Sequence, residues 1–477
     1  MNCLPRVTRS VYVLSTIPKH RHFGKVGSQL RSQFHRGFAT HSSTAGVSLA
    51  GETRPVTKIE KIILDTIKAN GPVSFSEYMS LCLAHPTEGY YTKPLRDILG
   101  ARGDFVTSPE ISQVFGELIA VWFLTRWLTN GTSSPFRIVE LGPGKGTLMA
   151  DILRAFSQFQ AAKVAIQEIH LVETSHPLRS VQEQALKPFI DELGLKIQWH
   201  DNLDTITSTD KQYTMVLAHE FFDALPFHLI EKSQNGWREI KIDSVSIKPE
   251  TTTILKPPGS TTTLHKQTKS NTPTANSNFR LVASQPSPSS SLLGLASPRF
   301  KDLPIGTRVE VSPASFKIAH RIGQLLSTKA ESSGLGGAAL MVDYGGDHLH
   351  GDSFRAFKNH KLVDVFHQPG ECDLTANVDF AFLKEAVSDL LLTHGPISQA
   401  DFLTRMGIDV RVEALKSQAS TERADEIEKA AKRLTDLTGM GKQYKVLGFT
   451  SAAVPGEDNG PWPFVKLEEP TTLKKSA

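Results

Sequence analysis

A short apolar run, a glycine-rich turn and an amphipathic segment follow one another at residues 138–153, IVELGPGKGTLMADIL. The apolar run predicts a buried strand, and Leu148 and Ile152 would share one face of the helix after it, with Thr147 available as a cap. Glycines let a backbone approach a ligand closely, and free N–H groups at a helix start attract anionic or polar groups. The stretch therefore predicts a ligand-binding turn.

The spacing of the glycines separates the ligands that such a turn could bind. A dinucleotide fingerprint needs a third glycine where this chain has Thr147, and a phosphate-binding P-loop needs Ser or Thr where it has Gly146. Instead, Gly142, Gly144 and Gly146 alternate after Glu140, which resembles motif I of Rossmann-like S-adenosylmethionine methyltransferases. Another nucleotide-binding fold and a purely structural glycine turn are the alternatives at this point.

The composition fits a globular enzyme and disfavours several other classes. A chain of 477 residues is long enough for one large domain or two ordinary ones. Its three cysteines, Cys3, Cys82 and Cys372, form no CxxC pair, so neither disulfides nor a metal site is expected. We find no run of 18 uncharged apolar residues that would predict a transmembrane segment, and we expect no nucleic-acid partner.

The first 50 residues differ in charge from the rest of the chain. They contain seven of the 53 Lys and Arg residues and no Asp or Glu, which leaves the remainder slightly acidic. An Arg- and Ser-rich segment without acidic residues is typical of a mitochondrial transit peptide, although a disordered basic tail has the same composition. We therefore expect a transit peptide at 1–45, with cleavage near Ala39, and a location in the mitochondrial matrix.

Strand-like and helical segments alternate along the remaining chain, which indicates the α/β class. Strands are predicted at the apolar runs 169–173, 196–200, 214–219, 337–345 and 444–450. Between 248 and 304 the sequence becomes rich in Thr, Ser and Pro, which predicts a disordered insertion interrupted by a short ordered piece at 279–282.

Polar side chains are predicted at the carboxyl ends of these strands, where an open α/β sheet binds its ligands. Glu173 ends the second strand, and its carboxylate could accept hydrogen bonds from both hydroxyls of a ribose. Asn202 and Leu203 follow the third strand, where an amide could bind an adenine amine. Each acidic residue taken alone could instead be surface charge.

The segment HEFFDALPFH follows the fourth strand and carries Glu220 and Asp223 three residues apart. An arginine guanidinium has no usable lone pair while its charge is delocalised, and paired carboxylates would bind it bidentately and draw that charge away from the attacking nitrogen. We therefore predict that both carboxylates orient a substrate. In the alternative interpretation Asp223 caps a turn and Glu220 braces the loop. His219 could be a base or a packed histidine. Asp343 and Tyr344, at the end of the fifth predicted strand, could line the mouth of the same substrate site.

Several motifs together identify the chain as similar to the MidA-like family. They are GYYTKP (89–94), GDFVTSPEISQVFGELIAVW (103–122), ELGPGKGTLMADILR (140–154), HEFFDALP (219–226), RVEVSP (308–313), VDYG (342–345), HKLVDVFHQPGECDLTANVDF (360–380) and GIDVR (407–411). The resemblance extends from about Ile59 to Phe449, apart from the low-complexity insertion. Within the family it is to the mitochondrial protein arginine methyltransferases that assist assembly of respiratory complex I.

The resemblance implies a fold and a function. The fold is a Rossmann-like class I methyltransferase with a seven-strand, mostly parallel sheet and added helices. The function is symmetric (type II) dimethylation of an arginine in a core matrix-arm subunit of complex I during assembly, with S-adenosyl-L-methionine as methyl donor. A homodimer is a further expectation. The alternative is a non-catalytic, S-adenosylmethionine-binding assembly chaperone, and the glycine spacing disfavours a nicotinamide-dependent oxidoreductase.

The resemblance also implies which residues bind the cofactor. Glu140 and the three glycines match motif I, Glu173 matches the acidic ribose ligand, and the helix start at Ser108 is implied to pack onto the cofactor. On spacing alone that stretch would be only a well-capped helix, with Ser108 as N-cap and Pro109 as first helical residue. The cofactor-binding set is then Ser108, Pro109, Gln113, Glu140, Gly142, Pro143, Gly144, Gly146, Glu173, Asn202 and Leu203, and the catalytic set is Glu220 and Asp223. His367 and Asp373 are further candidates for the substrate mouth.

These expectations divide the chain into a transit peptide (1–45), a methyltransferase domain (46–452) and a C-terminal tail (453–477). The domain itself is predicted to contain a helical part (55–135), a cofactor-binding core (136–245), the disordered insertion (248–304) and the remaining core with substrate-side additions (305–452).

Overall fold

The structure is a computed structural model, and it describes residues 55–92, 107–129, 134–245, 277–327, 335–451, 457 and 460–465. The predicted transit peptide lies outside these ranges, as do residues 248–276 of the predicted insertion and most of the tail. Among the described helices, none combines the length and the apolar character needed to span a membrane.

The strands of the described chain are β1 (Val73–Ser74), β2 (Phe136–Leu141), β3 (Ile166–Val172), β4 (Lys196–His200), β5 (Tyr213–His219), β6 (His228–Ser233), β7 (Gly236–Ser244), β8 (Phe279–Ala283), β9 (Arg308–Val311), β10 (Gly337–Gly346), β11 (Arg355–Lys358), β12 (Lys361–Val363), β13 (Asp373–Thr375), β14 (Val378–Asp379), β15 (Leu392–Ser398) and β16 (Tyr444–Thr450).

The helices are α1 (Lys58–Asn70), α2 (Phe75–Ala84), α3 (Ser108–Ile111), α4 (Gln113–Thr129), α5 (Thr147–Phe156), α6 (Gln160–Ala165), α7 (His176–Leu193), α8 (Pro288–Gly294), α9 (Pro313–Leu326), α10 (Phe380–Ala386), α11 (Gln399–Met406), α12 (Ile408–Lys416), α13 (Thr421–Thr435) and α14 (Met440–Gln443). Short 3-10 turns occur at Tyr90–Thr92, Leu203–Thr205 and Pro298–Phe300.

The main sheet joins eight of these strands. Seven follow the order β15, β16, β10, β5, β2, β3, β4, and the two-residue strand β14 pairs with β10. Strands β4, β3, β2, β5 and β10 are parallel, whereas β16 runs antiparallel to both β10 and β15. The predicted α/β fold with a mostly parallel sheet is confirmed. The predicted seven strands form the continuous path, and β14 adds an eighth.

Side chains of the central strands alternate between the two faces of the main sheet, and both faces are buried. Ile138 and Met215 pack on one face with residues of α4, α5 and α7. Val139 and Val216 pack on the other face with residues of α9 and α10. Because helices cover both faces, the parallel strands appear in the sequence as continuous apolar runs.

Two smaller sheets were not predicted from the sequence. One has the strand order β1, β7, β6, β9, with β8 paired to β7, and the other has the order β12, β11, β13. Buried residues of both sheets pack with α1 and α2 in one cluster, which includes Ile63, Ile240 and Leu374. Ile230 of β6 and Val309 of β9 belong to a separate cluster. The predicted cofactor-binding core includes residues 228–245, but most of them form β6 and β7 of the five-stranded sheet.

The prediction of disorder across 248–304 is wrong for residues 277–304. The ordered piece expected at 279–282 is strand β8, and the SPSSS sequence after it begins helix α8 rather than a loop. Ser287 and Ser290 form a reciprocal capping box, and the Ser290 hydroxyl donates to the Trp237 carbonyl at 2.6 Å. A composition argument counts these serines towards disorder, yet here they satisfy the free donors of a helix start.

Two helix starts lie one residue away from their predicted positions. Thr107, not Ser108, precedes α3, and Ser112 is extended, so α3 and α4 are separate helices. Gly146, not Thr147, is the N-cap of α5, because its left-handed φ of 81° makes the turn into the helix. In the tail, Phe464 is buried with its ring 6.2 Å from that of Trp122.

Candidate active site

The glycine turn connects β2 to α5 at the carboxyl end of the main sheet. Gly142, Gly144 and Gly146 all have positive φ, of 64°, 52° and 81°. The Gly142 N–H donates to the Val172 carbonyl of β3 at 3.0 Å, and Pro143, within the turn, is buried. A Cβ at Gly142 would lie 3.0 Å from the Phe221 ring, whereas a Cβ at Gly144 would meet nothing within 4 Å. The turn is thus packed against Phe221 and bonded to β3, whereas the space beside Gly144 is open.

Glu140 lies at the end of β2 with only 2% of its surface exposed. Burial raises the pKa of its carboxyl group to about 8. No described residue forms a hydrogen bond with its buried Oε2 atom. Leaving such an oxygen unpaired is costly, and a cationic donor placed against it would remove that cost. Glu140 therefore fits a ligand that carries a positive group.

Glu173 follows β3 and is held by two hydrogen bonds. Its Oε1 accepts from the Ser175 N–H at 2.8 Å, and its Oε2 accepts from the Gln182 side chain at 3.2 Å. Gln182 also donates to the Gly144 carbonyl at 2.8 Å and accepts from the Trp199 indole at 2.9 Å. Gln182 was not predicted as a site residue, yet it links the glycine turn to Glu173. Burial raises the pKa of Glu173 despite these donors.

Asn202 and Leu203 lie after β4, at the same edge of the sheet. Asn202 is exposed at the start of a 3-10 turn. Leu203 is 5% exposed and packs in the core with Leu141 and Val172. The Asn202 side chain is therefore accessible to a ligand, whereas the Leu203 side chain is part of the core.

The α3–α4 segment reaches the glycine turn through Glu110 rather than Ser108. The Glu110 carboxylate pairs with Lys145 at 2.6 Å. The Ser108 hydroxyl instead donates to the buried Gln399 side chain at 3.2 Å. Pro109, the next residue, is also buried. A Cβ at Gly116 in α4 would lie only 2.5 Å from the Asp151 Cβ of α5, so the two helices pack closely.

Gln113 belongs to a buried polar brace at the base of α4. Its amide donates to Glu117 at 3.2 Å, and Glu117 forms a bidentate ion pair with Arg411 at 2.7 and 3.2 Å. The Ser108 hydroxyl and the Gln113 amide nitrogen, both predicted on the cofactor side, thus bond within the protein.

Glu220 directly follows β5 and has a strained backbone, with φ at +49°. Non-glycine residues in this region are uncommon and concentrate at functional sites. Its N–H donates to the Val342 carbonyl at 2.9 Å, and its Oε1 accepts from the Tyr444 hydroxyl at 2.6 Å. Burial, with Asp223 nearby, raises the pKa of Glu220 to about 8.

Asp343, at the end of β10, holds the loop that carries both predicted catalytic residues. Its Oδ2 accepts from the backbone N–H groups of Phe221, Phe222 and Asp223 at 3.2, 2.9 and 3.3 Å. Asp343 is fully buried, and burial together with the charges of Asp223 and Glu220 raises its pKa well above the ordinary value. It is a positioning residue that fixes this loop to the neighbouring strand.

Asp223 faces the same mouth from the other end of the loop. Its Oδ2 accepts from the Thr375 hydroxyl of β13 at 2.7 Å, and burial raises its pKa. Asp373 of the same strand accepts from the Tyr91 hydroxyl at 2.8 Å. The Arg355 guanidinium lies 5.5 Å from the centre of the Tyr344 ring, and its charge lowers the pKa of Asp223 in part. The predicted residues Glu220, Asp223, Tyr344 and Asp373 are thus brought together.

His219 and His367 are the two histidines that the sequence proposed for the site. Burial lowers the pKa of His219 to about 3, and its ring packs against Phe115 and is parallel to that of Tyr444. A histidine with so low a pKa is a poor base, which favours the packed alternative. The backbone carbonyl of His367 accepts from the Cys372 thiol at 3.0 Å, which fixes the loop before β13.

A family model described as "Putative S-adenosyl-L-methionine-dependent methyltransferase" matches residues 118–397. The chain belongs to this methyltransferase family. Proteins named "Protein arginine methyltransferase NDUFAF7, mitochondrial" are also similar. The one from Homo sapiens is 36% identical over 77% of this chain and 77% of its own length. The one from Danio rerio is 37% identical over 83% of this chain and 87% of its own length.

A solved structure shows the same fold. It is a protein from Burkholderia thailandensis bound to S-adenosyl-homocysteine, with a TM-score of 0.61, 24% sequence identity, and coverage of 82% of this chain and 91% of that one. The predicted methyltransferase family and its cofactor, S-adenosyl-L-methionine, are confirmed.

The site residues fit this cofactor. Its ammonium and sulfonium groups are positive, which suits the unpaired Oε2 of buried Glu140. Its ribose hydroxyls would find an acceptor in Glu173, and the open turn at Gly144 leaves room for close approach of the backbone. When bound, the cofactor supplies an electrophilic methyl group on sulfur.

Exchanging Glu140 for Gln is expected to change how stability depends on pH. The buried carboxyl of the ligand-free protein titrates near pH 8 and would titrate near 4.5 when unfolded, so folding holds a proton between these values and the free energy of unfolding falls as pH rises. Glu140→Gln should remove on the order of 3 kcal/mol of this fall between pH 5 and pH 8, since one pKa unit is about 1.4 kcal/mol. Urea unfolding at pH 5 and pH 8 measures it.

The same variant should lose most of the stabilisation that S-adenosylmethionine gives the wild type, measured as a shift in Tm. If the two proteins show parallel pH profiles and equal Tm shifts, Glu140 is not the ligand for the cofactor's positive group.

Proposed function

We propose that this protein transfers the methyl group of S-adenosylmethionine to an arginine guanidinium. The observation that carries this proposal is the cluster of buried carboxylates at Glu220, Asp223 and Asp343. Among the described residues, no Lys or Arg forms an ion pair with any of the three, although the charge of Arg355 acts on Asp223, and burial raises the pKa of each. A cationic substrate would supply a counter-charge to Glu220.

The chemistry explains why a pair of carboxylates is suited to this substrate. A guanidinium presents N–H donors in a planar fork that matches a carboxylate bidentately. Hydrogen bonds to Glu220 and Asp223 would hold that plane and favour charge on the nitrogens that face them. The remaining nitrogen can then attack the methyl group, and correct positioning supplies much of the rate.

The protein substrate proposed is a core matrix-arm subunit of respiratory complex I, and the product is symmetric dimethylarginine. Support comes from the family resemblance of the motifs and from the names of the relatives, which are called mitochondrial protein arginine methyltransferases. The basic, acid-free sequence of residues 1–50 supports delivery to the mitochondrial matrix.

The test is incubation of the purified protein with methyl-labelled S-adenosylmethionine and isolated complex I matrix-arm subunits. Mass spectrometry of peptide fragments should find arginine dimethylation, and the neutral-loss pattern distinguishes the symmetric from the asymmetric product. Binding of a subunit without any label transfer would favour the assembly-chaperone alternative. Stabilisation by NAD rather than by S-adenosylmethionine in a Tm assay would favour the oxidoreductase.

We expect the affinity for an arginine peptide to rise with pH. Glu220 is largely protonated below its pKa of about 8 in the free enzyme, and a bound guanidinium would lower that pKa, so binding releases a proton. By linkage, Kd should fall up to about tenfold per pH unit below pH 8 and level off above it. Calorimetric titration of an arginine peptide between pH 6 and 9 measures this slope.

The matched control is Glu220→Gln, which cannot titrate and should flatten the profile. An equally steep slope in this variant would assign the released proton to another group, and a pH-independent Kd in the wild type would argue against the carboxylates as the guanidinium site.

A further inference from the structure

Two tyrosine hydroxyls and the Glu220 carboxylate form a chain of hydrogen bonds. The Tyr444 hydroxyl lies 2.6 Å from Glu220 Oε1 and 2.5 Å from the Tyr344 hydroxyl. The two tyrosine rings lie 4.1 Å apart at 39°. Tyr444 is fully buried and Tyr344 is half-buried, so the chain runs from the carboxylate towards the outside of the site.

The sheet itself builds this arrangement. Tyr344 of β10 and Tyr444 of β16 are direct partners in the antiparallel register. Glu220 lies at the end of β5, which is the other neighbour of β10. The loop backbone is fixed by Asp343, next to Tyr344, and the side chain is fixed by Tyr444. Glu220 and its loop are thus held by Val342 and Asp343 of β10 and by Tyr444 of β16.

The hydroxyl hydrogens allow this chain of hydrogen bonds to run in either direction. When Glu220 is ionised, Tyr344 donates to Tyr444 and Tyr444 donates to the carboxylate. When Glu220 carries a proton, it donates to Tyr444, and Tyr444 donates to Tyr344. Every oxygen of the chain has a partner in both arrangements, and no side chain has to move.

Methyl transfer to a guanidinium requires such a change of protonation. The bond between sulfur and the methyl carbon breaks while a bond from nitrogen to that carbon forms. The sulfonium becomes a neutral thioether, and the methylated guanidinium must lose one N–H proton to return to a single positive charge. One proton therefore leaves the substrate in each transfer.

We propose that Tyr444 and Tyr344 are positioning residues that hold Glu220 in place in both of its protonation states, so that Glu220 takes the proton that the substrate loses. This inference rests on the proposed function. The other ionisable groups around Glu220 include His219, Asp223, Asp343, Asp373 and Glu110, and the charge of Arg355 acts on Asp223. His219 is held neutral by burial, and the four acidic residues are carboxylates. Glu220 is the carboxylate that the tyrosine chain contacts.

The test compares Tyr444→Phe and Tyr344→Phe with the wild type. Tyr213→Phe is the matched control, because Tyr213 is also a buried tyrosine of the main sheet but begins β5, at the end opposite to Glu220. The measurements are kcat and KM for an arginine peptide, Kd for S-adenosylmethionine, and the pH profile of kcat.

Tyr444→Phe should lower kcat about 10²-fold and Tyr344→Phe about 10-fold, with Kd for the cofactor unchanged within about twofold. Because the Tyr444 hydroxyl favours the ionised form of Glu220, its loss should also move the ascending limb of the pH profile upward by about one unit. Tyr213→Phe should leave both the limb and kcat in place.

Unchanged kcat in both site variants would overturn the inference, and so would a fall in kcat equal to that of Tyr213→Phe at every pH. If Tyr444→Phe does not fold, the Tyr344→Phe profile decides alone, since that variant keeps the Glu220–Tyr444 bond. A wild-type protein that binds S-adenosylmethionine but methylates no arginine would instead overturn the proposed function.

Discussion

Replacing Glu220 by glutamine is expected to lower kcat for arginine methylation by about 10²–10³-fold while leaving S-adenosylmethionine binding nearly intact. The amide keeps the size of the side chain and can still accept from Tyr444, but it carries no negative charge for the guanidinium and cannot take its proton. Steady-state kinetics with a labelled methyl donor, together with calorimetry for the cofactor, measure the two effects separately.

Glu310→Gln is the matched control. Glu310 is also a glutamate whose pKa is raised by burial, but its carboxylate accepts from Ser353 in the five-stranded sheet region instead of facing the mouth. It should retain methyl transfer. If Glu220→Gln retains wild-type kcat, the carboxylate is not part of the chemistry, and the loop-bracing alternative is correct.

Gly144→Val should abolish cofactor binding while the chain still folds. A Cβ at Gly144 meets no protein atom within 4 Å, so the added side chain projects into the open region of the turn where the cofactor would bind. We expect Kd for S-adenosylmethionine to rise at least about 100-fold, which corresponds to about 2.7 kcal/mol. Calorimetry and cofactor-induced Tm shifts measure it.

Gly194→Val separates this effect from backbone strain. Gly194 caps helix α7 at φ +66°, close to the 52° of Gly144, and a Cβ there also meets nothing within 4 Å. Both variants should therefore lose about 1–3 kcal/mol of stability from the left-handed valine. Only Gly144→Val should lose the cofactor, and equal Kd values in the two variants would contradict the assignment of the turn.

The main sheet could be predicted from the sequence because burial of both faces leaves a strong pattern. The run at 444–450 coincides with β16, in which Lys445 is the one charged residue, and the run at 214–219 lies within the fully buried β5. The edge strand β4, at 196–200, instead alternates Ile197 and Trp199 with polar residues. The smaller sheets leave no such pattern. Strand β6 reads HLIEKS, and its buried Glu231 is an ion-pair partner of Arg238 and Arg308, so a charge occupies a position that periodicity reserves for an apolar residue.

Site residues could be predicted where an acidic residue directly ends or follows a predicted strand. Glu140, Glu173 and Glu220 all lie at such strand ends in the structure. Ser108 does not fit in the same way, because its hydroxyl pairs with Gln399, which is 291 residues away in the chain. Tyr444 and Gln182 were missed for a related reason: their roles depend on register and on packing between distant elements, and no local pattern records either.

The β7–β8 hairpin gives this enzyme a convenient position for engineering. Ser244 pairs with Phe279, and the Val245 N–H donates to the Asn278 carbonyl at 2.8 Å, so the chain leaves the sheet and returns to it at adjacent points. The connecting segment therefore joins two points that lie side by side. Each doubling of its length adds only about 0.6 kcal/mol to the entropic cost of closing the loop. An affinity tag or a fluorescent domain placed between 246 and 276 would therefore leave the register of both strands, and the methyl-transfer site, undisturbed.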